Sequence, residues 1–342
     1  MSSTLNFDLL REYLAANLTC SAEQIQVDQL SGGYSNLSFL VQSPTGKLIL
    51  RRPPFGEKIA KAHDMEREFK ILHGLKMAGY TKSPNPILLC EEESIFGAPF
   101  FLMEFVEGAI LRNKVPKGLT LGGKEFEKLS RSAVDCLVDL HQLELQDSGL
   151  IQLGKPEGFT QRQVTGWVER YFRAKTNELP ELENVATWLQ ENIPYTEYTA
   201  FIHNDFKYDN LVLYPDDPCN IQSVLDWEMA TIGNPLMDLG TSLAYWAEEK
   251  DPEILKLFNL SHLPGNLTRE ELMDYYFSKA SGSKEEMIFY YVFGLFKVAA
   301  IAQQIFKRYS QGHSSDARFA QLIYVVEAAG KKAIQTLQKN QL

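Results

Sequence analysis

The sequence predicts an α+β fold in two lobes. A small N-terminal lobe, residues 1–105, is built on an antiparallel sheet, and a larger, mainly helical lobe takes residues 106–342. Three observations carry this expectation. Short apolar runs separated by glycine-containing turns fill the first hundred residues, the pattern of hairpin-linked strands. Beyond Gly108 the apolar spacing becomes that of long amphipathic helices. Within that helical part, Phe201–Glu228 returns to short apolar runs with polar groups at their ends, where a rigid strand hands side chains to a loop.

The elements follow in order. Residues 7–17 predict a short amphipathic helix, with Leu9, Leu10, Tyr13 and Leu14 on one side. Strands are expected over Ile25–Leu30 and Tyr34–Gln42, joined by Ser31-Gly32-Gly33. That glycine pair reads either as an ordinary hairpin turn or as backbone folded close over a ligand, with Ser35 adding a hydroxyl. Pro44-Thr45-Gly46 leads into strand Lys47–Arg52, where alternation separates Ile49 and Arg51 from Leu48, Leu50 and Arg52. Arg51 is either a solvated edge residue or a forked anchor for phosphate or carboxylate. A helix over Ala60–Gly79 is followed by strands Ile87–Glu91 and Phe100–Phe105, then the linker Val106-Glu107-Gly108. Helices are expected over Leu121–Leu143, Thr160–Lys175, Leu182–Asn192, Arg269–Ala280, Lys284–Tyr309 and Ala317–Lys339. Trp167, Tyr171 and Arg173 stand either in a core or along a pocket.

Composition bounds the function. At 342 residues, with 44% hydrophobic and 23% charged, the chain can bury two cores and reads as an ordinary globular protein. A net charge of −10 argues against nucleic acid as a general partner. The N-terminal stretch is interrupted by Asp8, Arg11 and Glu12 and does not read as a secretion signal. The longest apolar run, Met287–Phe296, is broken by Lys297 and is shorter than the ~20 residues of a membrane span. Cys20, Cys90, Cys136 and Cys219 are scattered and read as free thiols. A cytoplasmic protein with no membrane partner is expected, its oligomeric state open.

The chemistry concentrates in Phe201–Glu228. Strand Thr199–Ile202 leads to a polar loop with His203, Asp205, Lys207 and Asn210. Strands Leu211–Leu213 and Val224–Leu225 follow, the second delivering Asp226. Asp205 and Asn210 lie five apart, as the Asp and Asn do in the kinase catalytic loop, and Asp226 stands where the metal-binding Asp follows it. Phosphoryl transfer needs these types: a carboxylate to take the acceptor hydroxyl's proton, an amide oxygen and a second carboxylate for Mg²⁺, and a cation to offset phosphoryl charge. A buried histidine beside a solvated acidic loop is the plainer reading of any one of these residues alone.

These residues resemble the aminoglycoside phosphotransferase-like family of small-molecule kinases, which shares its fold with protein kinases and choline kinases. More narrowly, the chain is similar to the phosphotransferase domain that some acyl-CoA dehydrogenases carry at their N-terminus. That similarity rests on Gly32-Gly33-Tyr34-Ser35-Asn36, Leu50-Arg51-Arg52-Pro53-Pro54, Met103–Gly108, Asp226-Trp227-Glu228 and Gly233–Gly240. The resemblance implies a protein kinase-like fold over about residues 25 to 310, with ATP and Mg²⁺ as cofactors and a small-molecule hydroxyl as acceptor. Gly32, Gly33 and Ser35 would cover the phosphates. Arg51 would anchor them where kinases use a lysine, paired with Glu68 of the following helix. Backbone groups at Glu104 and Val106 would meet the adenine. Asp205 and Lys207 would be catalytic, and Asn210 with Asp226 would hold the metal.

The chain after Asp226 narrows the acceptor. Only Trp227–Gly233 precedes Asn234-Pro235, the expected cap and first residue of a helix. A peptide-binding activation segment has no room there, so the acceptor is expected to be a small molecule. Asp238, in that helix, reads as a brace for the catalytic loop. Met287–Ser310 contains no acid. If that helix lines the acceptor cleft, as the resemblance implies, the acceptor is neutral or anionic, such as a hydroxy acid or hydroxyacyl-CoA; otherwise Lys297 merely snorkels from a buried helix. The rival expectations are an aminoglycoside kinase and a nucleotide-binding regulatory module without turnover.

Overall fold

The computed structural model describes residues 5–30, 36–54, 64–196, 198–314 and 316–342. The chain forms two compact units. One runs to Glu107 and also takes Ser223–Glu228; the other comprises Gly108–Gln222 and Met229–Leu342.

The first unit opens with α1 (Phe7–Leu18), started by Asn6, whose side chain accepts from the Leu9 N–H at 3.0 Å. Its sheet holds β1 (Gln26–Gln29), β2 (Leu37–Ser43), β3 (Gly46–Arg52), β4 (Pro86–Cys90) and β5 (Phe100–Glu104) in the order β1-β2-β3-β5-β4. Every pairing is antiparallel. The pleat sends alternate residues to opposite faces. Leu10 and Leu14 of α1 pack with Phe39, Leu50, Phe100 and Leu102, and with Phe96 of the short helix α3 (Glu93–Phe96). The other face carries α2 (Met65–Met77), whose Phe69 ring meets Phe101 edge-on. Adjacent arginines therefore part company. Arg52 is buried toward Phe96, donating to its carbonyl at 2.8 Å, and Arg51 faces α2.

Ser223–Glu228, which the sequence placed with the later lobe, clusters with this unit for local reasons. Val224 N–H donates to the Lys82 carbonyl at 2.8 Å, and the Trp227 ring packs edge-on against Tyr80.

The second unit is mainly helical: α4 (Gly123–His141), α5 (Phe159–Ala174), α6 (Pro180–Glu191), α7 (Pro235–Tyr245), α8 (Arg269–Phe277), α9 (Met287–Ser310) and α10 (Leu322–Lys339). Short strands interrupt them. β6 (Ala109–Ile110) pairs with β8 (Leu211–Leu213), and β7 (Ala200–Ile202) pairs with β10 (Thr231–Gly233). β9 (Ile221–Val224) starts in this unit, three residues earlier than its sequence suggests. α9 is the central helix, packed by α5, α7 and α10. The stretch Lys284–Ser310 is long and apolar enough to cross a membrane, and 78% of its most apolar window is buried within the fold. The absence of acids from Met287–Ser310 thus belongs to a core helix. Trp167 and Tyr171 are likewise buried in α5, and the Tyr171 ring packs on Phe296.

Candidate active site

In the first unit the site is organised by one guanidinium. Arg51 Nη1 lies 2.9 Å from Glu68 Oε1, and Nη2 lies 3.4 Å from Asp226 Oδ1 and 3.7 Å from Glu228 Oε2. Asn36 Nδ2 donates to Glu228 Oε2 at 3.2 Å. One cation is divided among three carboxylates. Burial works to lower the Arg51 pKa, but Glu68, Asp226 and Glu228 outweigh it and raise it. Burial pushes Glu68 up to about 7 against the pull of Arg51, with Asp226 adding to the rise. Glu68 is 3% exposed, shares Arg51 with two other carboxylates, and its Oε2 has no hydrogen-bond partner among the described residues. Asp226 adopts φ 66°, a left-handed conformation uncommon outside glycine that costs free energy and collects at functional sites.

In the second unit β7 delivers the polar loop. Asp205 Oδ2 accepts from Lys207 Nζ at 2.6 Å and from Asn210 Nδ2 at 3.2 Å, and the same amide donates to the Asp205 carbonyl at 2.8 Å. The turn Tyr208–Asn210 brings Asn210 back to Asp205. Because the Asn210 nitrogen faces Asp205, its amide oxygen is the group left over. Lys207 Nζ also sits 4.7 Å from the Tyr245 ring centroid. Burial, then the charge of Asp205, raise the Tyr245 phenol above its ordinary value, so it stays neutral.

The loop is anchored from behind. Asp238 of α7 accepts from the N–H of His203 at 2.6 Å and of Asn204 at 2.8 Å, as the reading of Asp238 as a brace anticipates. His141, at the end of α4, completes the anchor, with Nε2 3.2 Å from Asp238 and Nδ1 2.8 Å from the Tyr276 hydroxyl.

The structure thus gathers Asp205, Lys207 and Asn210 in one unit, and Arg51, Glu68 and Asp226 in the other. Glu104 accepts from Asn85 at 2.7 Å, and its backbone N–H is engaged by the Asn85 carbonyl. Gly32, Gly33 and Ser35 lie outside the described residues. Asn36 and Glu228 stand inside motifs the sequence flags, without a role assigned to them there. His141 and Tyr245 carry no local signal. Among the described residues no group of three or more His, Cys, Asp or Glu could hold a metal by itself.

Residues 26–272 match the family described as "Phosphotransferase enzyme family". Mouse acyl-CoA dehydrogenase family member 10 is 33% identical over 331 residues, which cover 95% of this chain and 30% of that protein. The chain spans 30% to 40% of the length of the curated relatives it matches. Among solved structures, a candidate aminoglycoside phosphotransferase from Ralstonia eutropha is 26% identical, with a TM-score of 0.79, covering 97% of this chain and 99% of its own. Choline kinase from Cryptosporidium parvum, 13% identical with a TM-score of 0.68 over 98% of this chain and 96% of its own, shares the fold. The fold is kinase-like, with an antiparallel sheet lobe and a larger helical portion, and the chain belongs to the phosphotransferase enzyme family.

Proposed function

We propose that this chain is an ATP- and Mg²⁺-dependent kinase that moves the γ-phosphate to a hydroxyl of a hydroxy acid or hydroxyacyl-CoA. The reading rests on Asp205, a carboxylate held by Lys207 and Asn210 on a backbone pinned by Asp238. The acyl character of the acceptor is taken from the acyl-CoA dehydrogenase relatives.

In this mechanism Asp205 takes the acceptor's hydroxyl proton as its oxygen bonds the γ-phosphorus. The bond from that phosphorus to the β-phosphate oxygen breaks, and ADP leaves with the electron pair. Lys207 offsets the charge that builds on the transferred group. Arg51, oriented by Glu68, anchors the phosphates, with Gly32, Gly33 and Ser35 covering them. Glu104 and Val106 take the adenine; Glu104 N–H is occupied by Asn85, which leaves more of that contact to Val106. Nucleotide binding falls to residues 1–105, catalysis and acceptor binding to 106–342.

The residues fit Mg²⁺. Three carboxylates around one arginine leave an excess of negative charge, Asp226 is 39% exposed, and the Asn210 amide oxygen accepts no hydrogen bond among the described residues. Mg²⁺ asks a protein for few ligands and draws the rest from water and phosphates; in this reading Asn210 and Asp226 would be those ligands. Bound there, it would neutralise phosphate charge.

The test is Mg²⁺-dependent ADP release by wild type and Asp205→Asn across hydroxy acids, hydroxyacyl-CoA thioesters, choline, sugars and aminoglycosides. Stimulation by the acyl acceptors, reduced at least about 10²-fold in the variant, is expected. Turnover that survives in Asp205→Asn removes Asp205 from the chemistry. Stimulation confined to aminoglycosides selects the second reading, which the Ralstonia eutropha likeness favours. Nucleotide binding with no stimulated release by any acceptor points to a regulatory module.

A further inference from the structure

We infer that Lys297 is a positioning residue: from α9 it clamps Asn204 in a left-handed turn and so fixes the peptide that carries Asp205. The inference relies on the proposed reaction only for what Asp205 does.

Asn204 has φ 69°, a region asparagine tolerates better than most residues. All four of its polar groups are bonded. Its N–H goes to Asp238 at 2.8 Å and its Nδ2 to the Met229 carbonyl at 3.2 Å. Its carbonyl and Oδ1 both accept from Lys297 Nζ, at 2.6 and 3.2 Å. Lys297 therefore supplies both donors to a residue that α7 and the turn at Met229 hold from other sides. The carbonyl it bonds belongs to the same peptide group as the Asp205 N–H. A cation on that carbonyl polarises the amide and strengthens its donor, and the Asp205 N–H lies 3.2 Å from His203 Nδ1.

Core filling does not explain Lys297. The residue is 2% exposed, and an uncompensated ammonium is among the costliest groups to bury. Methionine or leucine would fill the same volume without that cost. The groups facing it from neighbouring elements are Asp205 and Asp238, which favour its charge, and Lys207 and Arg170, which oppose it. The Trp167 ring lies 5.7 Å away. Burial lowers its pKa to about 8, which leaves it mainly charged at neutral pH. Neither a cleft-lining nor a snorkelling lysine matches this placement.

The experiment compares wild type, Lys297→Met and Lys297→Gln by hydrogen exchange over residues 203–207 and by steady-state kinetics. In Lys297→Met, exchange of the 203–207 amides is expected to rise about tenfold, the loss of one net hydrogen bond, with exchange elsewhere unchanged. Turnover falls by about the same factor while KM for ATP holds. Lys297→Gln keeps a donor without charge, so protection and turnover partly return; it also carries the test if Lys297→Met fails to fold. Unchanged exchange at 203–207 overturns the inference whatever the kinetics show. Turnover unchanged in Lys297→Met overturns the positioning role. Raised exchange together with turnover that survives Asp205→Asn keeps the clamp and removes the proposed chemistry instead.

Discussion

Asp238 is wholly buried and receives three donors: two backbone N–H groups from the turn before Asp205 and the His141 imidazole. Burial alone would raise its carboxyl, but the His141 hydrogen bond and the charges of His141 and His203 outweigh it, so the pKa is lowered and the group stays ionised. Removing one partner of a buried charged cluster strands the others, at roughly 3–5 kcal/mol. Asp238→Ala should lose stability on that order in urea unfolding, and its turnover should fall even where it remains folded, because His203 and Asn204 lose their anchor. Stability within about 1 kcal/mol of wild type would mean that water replaces the carboxylate. The Asp205–Asn210 contact was legible in the sequence because the spacing of the two is local and chemically constrained. The Lys297–Asn204 and His141–Asp238 pairs, 93 and 97 residues apart, were not, since nothing in a lysine or histidine on an apolar helix names its partner.

At the level of elements, α7 and α9 approach through glycine. A Cβ at Gly240 would lie 2.3 Å from the Tyr290 carbonyl oxygen, and one at Gly294 would lie 2.3 Å from the Gly240 oxygen. Backbone cannot yield as a flexible side chain can, so the helices must separate. α7 carries Asp238 and α9 carries Lys297, and the same crossing therefore sets the distance between the two anchors of the catalytic loop. Gly240→Ala should cost about 1–3 kcal/mol, the usual range for overpacking, despite alanine's better helix propensity. Urea unfolding checks this, and a variant as stable as wild type would show that the crossing relaxes freely. The start of α7 was legible because Asn234 and Pro235 are a local cap signal, and Asn234 does accept from Leu236 N–H at 3.0 Å. β6 and β10 were not. Two or three residues show no period, and each exists only because a distant strand pairs with it.

Across the whole molecule, each unit buries a charge whose cost varies with pH, Glu68 in one and Lys297 in the other, and the two vary in opposite senses. Stability changes with pH as the difference between protons bound by the unfolded and the folded chain. Glu68, in the first unit, rises from 4.5 to about 7 on folding. Between those values the folded unit holds a proton that the unfolded chain has released, so stability falls as pH rises through the window. Lys297, in the second unit, drops from 10.5 to about 8. Between 8 and 10.5 the unfolded chain holds a proton the folded one has lost, so stability rises through that window. Each limb is worth on the order of 3 kcal/mol at 1.36 kcal/mol per pKa unit, and their combined cost is greatest between about pH 7 and 8. Because a single group can be buried among others that also titrate, the informative quantity is the difference between variant and wild type. Glu68→Gln should erase the falling limb and leave the rising one, and Lys297→Met should do the reverse, in urea unfolding measured from pH 4 to 11. Difference curves flat at every pH would mean that both groups keep their ordinary values in the folded protein. A cost that both units retain near neutrality is what a positioning role for each predicts: Arg51 needs an anionic partner to orient it, and the Asn204 carbonyl needs a cation.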